Sequence, residues 1–226
     1  MARLQKSGGL LKNLPVQLVF PLFARAHRST LAAGEVLFSA GEKGTGCYGI
    51  ESGLLKVVVE SAAGGERIVA IVGPGAIVGE LAMIDGLPRS ATVVALQDCI
   101  CRFVSVEAFQ KFAVDHPEFY RELVAILSAR LREADTALAA ASFLSVKGRV
   151  ARALLDLAEH IGGRSDSGQI RFSHRISNSD LAAMAGVARE NVSRVLGEWR
   201  ENGLVTQNAR HHCIHDTAAL EREMEH

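Results

Sequence analysis

From about residue 30 to residue 110 glycines cut the chain into short apolar runs, and that rhythm limits what the first half can fold into. Gly34-Glu-Val-Leu-Phe38 leads to a turn at Ala40–Gly44. Tyr48-Gly-Ile50, Gly53–Val59, a turn at Ala62–Gly65 and Arg67–Val72 follow, then Ser90–Ala95 and Cys99–Val104. Strands this short, with turns every ~8–12 residues, predict a sandwich, barrel or roll. Apolar residues make up 48% of the chain and aromatics only 5%, so the cores are expected to be mostly Leu, Val, Ile and Ala. A length of 226 residues suits one large or two small domains.

One segment inside this region carries chemistry. Ile77-Val-Gly-Glu-Leu-Ala-Met-Ile-Asp-Gly-Leu-Pro-Arg-Ser-Ala-Thr92 places backbone N–H groups at Gly79, Glu80, Leu81 and Ala82, at the start of a short helical turn. Arg89-Ser90 follows. Glycine admits close backbone approach, helix-start N–H groups point at an anion, and a guanidinium closes the cradle. Glu80 repels a phosphate but accepts hydrogen bonds from a sugar hydroxyl. Gly79-Glu80-Leu81-Ala82 with Arg89-Ser90-Ala91-Thr92 resembles the phosphate-binding cassette of cyclic-nucleotide-binding domains. The resemblance implies that Glu80 holds the ribose 2′-hydroxyl and that Arg89 and Ser90 hold the cyclic phosphate.

A long helix is predicted from Pro117, since proline suits a first helical turn. Val124, Leu127, Leu131, Ala134, Leu138 and Ala141 recur at alternating spacings of three and four, a heptad seam. The seam packs on its own domain or on a second copy. The charged residues flanking it (Arg130, Arg132, Glu133, Asp135) favour the second copy. Phe143–Ser145 marks a hinge. Val146, Val150, Leu154, Leu157 and Ile161 form the inward stripe of another helix, and Gly162–Gly168 reads as a polar loop.

Ser177 with Asp180 three residues later is a capping pair. Gly186-Val187 makes a tight turn before a helix from about Ala188 to Asn202 that stops at Gly203. Two short helices joined this way read as helix-turn-helix. Val192, Val195, Leu196 and Trp199 face inward, while Arg189, Glu190, Ser193 and Arg194 occupy the opposite face near the N-terminus, where a recognition helix meets base edges. Arg fits guanine O6/N7 and Glu accepts from cytosine N4. Val205–His215 is expected to form a hairpin wing. Phe143–His215 holds ten Lys/Arg against seven Asp/Glu, a faint basic bias in a chain of zero formal net charge. His211, His212 and His215 lack a Cys or acidic partner at fixed spacing, so they are expected to be solvated or to touch phosphates, and no metal site is predicted.

Ile176–Arg194, together with the cassette and the order of the elements, resembles the Crp/Fnr family of bacterial regulators over nearly the whole chain. The implied fold is α+β: an N-terminal cyclic-nucleotide-binding β-roll (jelly-roll-like, 1–116), a long dimerisation helix with its hinge (117–145) and a C-terminal winged helix-turn-helix (146–226). The implied function is a homodimer that binds a palindromic DNA operator when cAMP occupies the roll, with RNA polymerase as a further partner. One departure touches the ligand. Cyclic-AMP-binding members read the adenine amine with a Thr-Ser pair on the long helix, but Ala134 and Asp135 stand at those positions, followed by Thr136. Asp135 or Thr136 is expected at the base. An aspartate accepts from the adenine amine or doubly from guanine N1–H and N2–H, which leaves cGMP as the alternative ligand. A buried Asp135 without a donor costs about 1–3 kcal/mol.

Other chemistries fit worse. Iron–sulfur sensing needs clustered N-terminal cysteines, and none precedes Cys47. No residue is assigned as a haem ligand. A nucleotide-independent regulator, constitutive or redox-tuned, is the remaining relative of this reading. A cupin-type metalloenzyme needs histidines in the strands, and Ser29–Asp115 contains none, so the chain is read as a non-enzyme. Cys99 and Cys101 share a strand face and are expected to be core residues. No window reaches the ~18 apolar residues of a membrane span. Leu14–Ala26 is read as an amphipathic helix packing on the first domain, and the protein is expected to be cytoplasmic.

Overall fold

The computed structural model describes residues 22–23, 26–62, 64–165, 168–172, 174–208 and 211–225. The expected helix at Leu14–Ala26 lies largely outside the described residues; of it, Leu22 and Phe23 are helical and buried in the first core. Contacts divide the chain into two compact units that meet between Glu133 and Ala134.

The first unit holds strands β1 (His27–Leu31), β2 (Val36–Phe38), β3 (Gly46–Ser52), β4 (Leu55–Glu60), β5 (Glu66–Val72), β6 (Ile77–Val78), β7 (Thr92–Ala95) and β8 (Cys99–Ser105). They form two sheets, ordered β1-β8-β3-β6 and β2-β7-β4-β5. The pairing is nested: β4 with β5, β3 with β6, β2 with β7 and β1 with β8, all antiparallel. That is the jelly-roll arrangement, produced by folding one long hairpin over itself. Inward residues from both sheets share one core, including Ile50, Leu55, Val72, Val93, Cys101 and Val104. Cys99 and Cys101 sit in this core as small apolar side chains.

Helix α1 (Leu81–Ile84) interrupts the strands. Helix α2 (Val106–Asp115), which strand-like patterning gave no reason to expect, follows β8 directly. Ser105 caps it by accepting from the Ala108 N–H, and Phe109 and Ala113 are its buried face. Pro117 disfavours helical geometry at His116 (φ −130°, ψ 71°), which separates α2 from α3 (Glu118–Phe143). At 26 residues α3 spans about 39 Å.

Two stripes run along α3. Phe119, Leu123 and Ile126 are buried in the first unit's core. Val124, Leu131 and Leu138 are 61%, 64% and 68% exposed, seven residues apart. Of the predicted seam, Leu127 packs against the roll's core, while Val124, Leu131, Ala134, Leu138 and Ala141 are exposed.

The second unit contains α4 (Val146–Ile161), β9 (Gly162–Arg164), β10 (Ile170–Phe172), α5 (Asn178–Ala185), α6 (Arg189–Glu201), β11 (Val205–Asn208), β12 (His211–Ile214) and α7 (Thr217–Arg222). Ser145 caps α4, so the expected hinge residue ends one helix region and starts the next. Val150, Leu154, Leu157 and Ile161 are buried, as the spacing predicts. The wing is larger than a hairpin, a sheet ordered β11-β12-β10-β9. Gly162–Arg164, expected as loop, pairs with β10. Its two glycines carry no strand signal, yet at Gly162 a Cβ would meet the Ala158 oxygen at 2.2 Å.

The capping box at α5 is complete: Ser177 accepts from the Asp180 N–H, and Asp180 accepts from the Ser177 N–H. Gly186 ends the helix at φ 63°, ψ 43°, where a side chain is strained. Ser177→Ala is expected to lower the stability of this unit by about 1 kcal/mol. Trp199, the chain's one tryptophan, reports the transition by fluorescence during denaturant unfolding. An unchanged midpoint would show that the cap contributes nothing.

Candidate functional site

The cassette is built where β6 hands over to α1. Gly79 turns at φ +80°, and a Cβ there would lie 2.4 Å from Arg89 Nη1. Only glycine allows this approach of backbone to guanidinium. Arg89 is 5% exposed. Its Nη1 donates to the Gly79 carbonyl at 2.6 Å and its Nη2 to the Gly46 carbonyl at 2.7 Å. The guanidinium carbon lies 4.3 Å from the centroid of the Phe38 ring. These partners carry no formal negative charge, and Arg89 Nε is buried without a partner. A desolvated cation with an unused donor is suited to an anion.

Glu80 is 2% exposed. Its Oε1 accepts from Arg130 Nη1 on α3, and Arg130 Nη2 donates to the Ile77 carbonyl at 2.8 Å. Its Oε2 is buried and unpartnered. Burial pushes the Glu80 carboxyl above its ordinary value, and Arg130 opposes that rise most strongly. The pair leaves one acceptor for a hydroxyl, beside an arginine with one donor for an anion. Those two orphaned atoms match a sugar-phosphate.

The other expected cassette residues fall around these two. Ala82 is buried, and Leu81 and Ser90 are exposed. Asp135 and Thr136 belong to the second compact unit and are exposed on α3. The cost of a buried Asp135 carboxylate therefore does not arise in the single chain. Thr136 contributes its carbonyl, which accepts from Arg152 Nη1 on α4 at 3.0 Å.

Arg130 was missed as a site residue. The signal was its register: it continues the inward stripe Phe119, Leu123, Ile126 at spacings of four, three and four, where a cation needs a buried partner.

In the second unit Val192, Val195, Leu196 and Trp199 are buried, and Arg189, Glu190, Ser193 and Arg194 are exposed together on α6. Arg194 Nη2 donates to Asn191 Oδ1 at 3.2 Å. The wing histidines differ from expectation. His215 Nε2 lies 2.9 Å from Thr206 Oγ1 and His211 Nδ1 lies 3.2 Å from the Phe172 carbonyl, while His212 is buried rather than solvated. Among the described residues no group of three or more His, Cys, Asp or Glu could hold a metal ion. Among them, too, no helix is long and apolar enough to cross a membrane.

The cyclic nucleotide-binding domain family model matches residues 28–116, and the Crp-like helix-turn-helix domain model matches residues 148–223. The chain is 35% identical to the cyclic AMP receptor protein of Thermus thermophilus over 216 residues, 96% of each chain. It is 28% identical over 214 residues, 95% of each chain, to the CRP-like cAMP-activated global transcriptional regulator of Mycobacterium tuberculosis. A solved CRP-family transcriptional regulator from Thermus thermophilus is similar with a TM-score of 0.74 at 28% identity, over 88% of this chain and 97% of that one.

The Glu80–Arg130 pair gives a pH-dependent expectation. Removing Arg130 raises the Glu80 carboxyl further above its ordinary value near 4.5. A group with a raised folded value supports the fold fully only below its unfolded value, and that support is lost as pH rises through the folded value. Arg130→Met is therefore expected to destabilise the first unit more at about pH 8 than at about pH 5, by about 3 kcal/mol at the higher pH. Denaturant midpoints at both pH values check this; equal losses would mean that Glu80 does not depend on Arg130.

Proposed function

Because this chain belongs to the Crp/Fnr family of transcriptional regulators, we propose that it acts as a homodimer that binds a palindromic operator when cAMP occupies its roll. The observation that carries this reading is the buried couple of Arg89 Nε and Glu80 Oε2, a donor and an acceptor without partners in one cassette. Arg89, with Ser90 and the Gly79–Ala82 backbone, takes the cyclic phosphate. Glu80 takes the ribose hydroxyl and keeps Arg130 beside it. Asp135 or Thr136 meets the base. The domains of this reading are the roll at 1–116, the dimerisation helix and hinge at 117–145 and the DNA-binding part at 146–226. The cytoplasm is its setting, and RNA polymerase is its further partner.

The relatives named for cAMP favour that nucleotide. Asp135 gives cGMP its one specific support, since a carboxylate accepts two bonds from guanine N1–H and N2–H. A redox-tuned regulator finds less support. Cys47 is buried and its thiol is pushed far up by burial and by Glu80, and burial pushes Cys101 up to about 12, so neither offers a thiolate.

The exposed stripe Val124, Leu131, Leu138 supports pairing of two long helices. Ligand contacts then favour one register of the helices, and the hinge near Ser145 sets the recognition helices about 34 Å apart for successive major grooves. A switch from about 1% to about 99% active needs roughly 5.5 kcal/mol of differential binding. Two desolvated arginine–phosphate pairs per dimer are of that order.

Calorimetric titration with cAMP and with cGMP tests the ligand. Arg89→Leu is expected to weaken cyclic-nucleotide binding by at least about 3 kcal/mol while the dimer persists in sedimentation. Tight binding by that variant would remove Arg89 from the site. Arg194→Ala is expected to relax preference for one guanine by about 1–3 kcal/mol in a selection from randomised duplexes. An unchanged preference would remove Arg194 from the reading face.

A further inference from the structure

Arg194 stands between two residues that compete for it. Asn191 lies three positions before it on α6 and Glu198 four positions after it, so each is its neighbour on the helix surface. The guanidinium goes to Asn191: Nη2 donates to Oδ1 at 3.2 Å. A guanidinium only donates, so the carboxamide oxygen must face it. The contact draws Arg194 toward the N-terminal end of α6, where a recognition helix meets base edges.

Glu198 is the stronger acceptor, because it is charged. Helix geometry also aims it at Arg194. Side chains of an α-helix lean toward the N-terminus, so each covers the turn before its own. For Glu198 that turn carries Arg194. Its carboxylate is instead bonded to Lys147 Nζ, from the first turn of α4. The two side chains are 39% and 44% exposed, so the bridge adds little stability. What it decides is where the carboxylate points.

The surrounding charges support that arrangement. Trp199, next to Glu198, donates from Nε1 to Glu223 at 3.2 Å, which brings a second carboxylate to the same region. The Lys147 ammonium is held above its ordinary value by its hydrogen bond to Glu198, with Glu223 adding to the rise and Arg194 opposing it. Lys147 thus sits in the fields of two carboxylates and of the reading arginine.

We propose that Lys147 is a positioning residue for base reading: by holding Glu198 it keeps that carboxylate off Arg194 and leaves the guanidinium to Asn191 and the DNA. The proposal rests on the assignment of Arg194 to the reading face. Without Lys147, Glu198 returns to Arg194 and competes with the base acceptors for the same N–H donors. A competitor of this kind lowers discrimination at the base pair that Arg194 reads.

The test is competition binding by the full-length chain at fixed salt, with two defined duplexes. One is the operator enriched in the selection above. The other has the base pair mapped by Arg194→Ala replaced in both half-sites. The readout is the ratio of the two affinities. Lys147→Gln is expected to lower that ratio about twofold per half-site, so about fourfold across the palindrome. Lys147→Arg, which keeps the bridge, and Glu198→Gln, which removes the competitor, are expected to retain the parent's ratio. Glu198→Gln added to Lys147→Gln is expected to restore it. Lys147→Gln added to Arg194→Ala is expected to change it no further. The proposal is overturned if Lys147→Gln leaves the ratio unchanged, including the case where both duplexes weaken equally, as loss of a phosphate contact would make them. It is also overturned if the double variant at 147 and 198 stays low, the mark of a damaged fold, or if Glu198→Gln alone lowers the ratio, which would make Glu198 a support for Arg194. An Arg194→Ala chain with the parent's preference would instead remove Arg194 from the reading face, and this proposal with it.

Discussion

A carboxylate buried inside a β-roll needs a cation, and for Glu80 the long helix supplies it through Arg130. The pair is expensive to desolvate, so its effect lies less in stability than in alignment. It ties the cassette to one turn of α3, and Arg130 reinforces the tie by donating to the Ile77 carbonyl. Arg89 is fixed separately, by the Gly79 and Gly46 carbonyls and the Phe38 ring. The nested pairing of the strands brings those groups together: β2 supplies Phe38, β3 supplies Gly46, and the end of β6 supplies Gly79. A shift of register in any of these would move a cassette contact to the other face of its sheet.

Helix α3 serves two surfaces with one sequence. One stripe, Phe119, Leu123 and Ile126, is committed to the roll and continues into Arg130. The other, Val124, Leu131 and Leu138, remains exposed along the same helix. A change at the cassette therefore bears on a helix that also carries a second, exposed apolar stripe. Further along, Arg152 donates to the Thr136 carbonyl, joining the end of α3 to α4 across the Ser145 cap.

The second unit is braced around its recognition helix. Lys147 pairs with Glu198, Arg149 donates to the Gly186 carbonyl at 3.3 Å, and Trp199 Nε1 donates to Glu223 at 3.2 Å. These bonds hold α4 and α7 to the inner side of the helix-turn-helix. Because Val192, Val195, Leu196 and Trp199 are committed inward, Arg189, Glu190, Ser193 and Arg194 have only the outer side to occupy.

The sequence by itself determined the elements whose cause is local. Glycine-spaced strands, the Ser177–Asp180 capping box, the Gly186 turn, the stripe of α6 and the cassette pattern all depend on residues a few positions apart, so spacing reveals them. Helix α2 escaped notice because its short apolar stripe follows a strand without a break. Strand β9 escaped because glycines carry no side-chain signal. Only the tertiary structure decided which stripe of α3 faces the roll, that Arg130 rather than another helix cation meets Glu80, and that His212 is buried instead of solvated. Each of these joins residues tens of positions apart, and burial and hydrogen-bond partners at that range are set by how the elements pack.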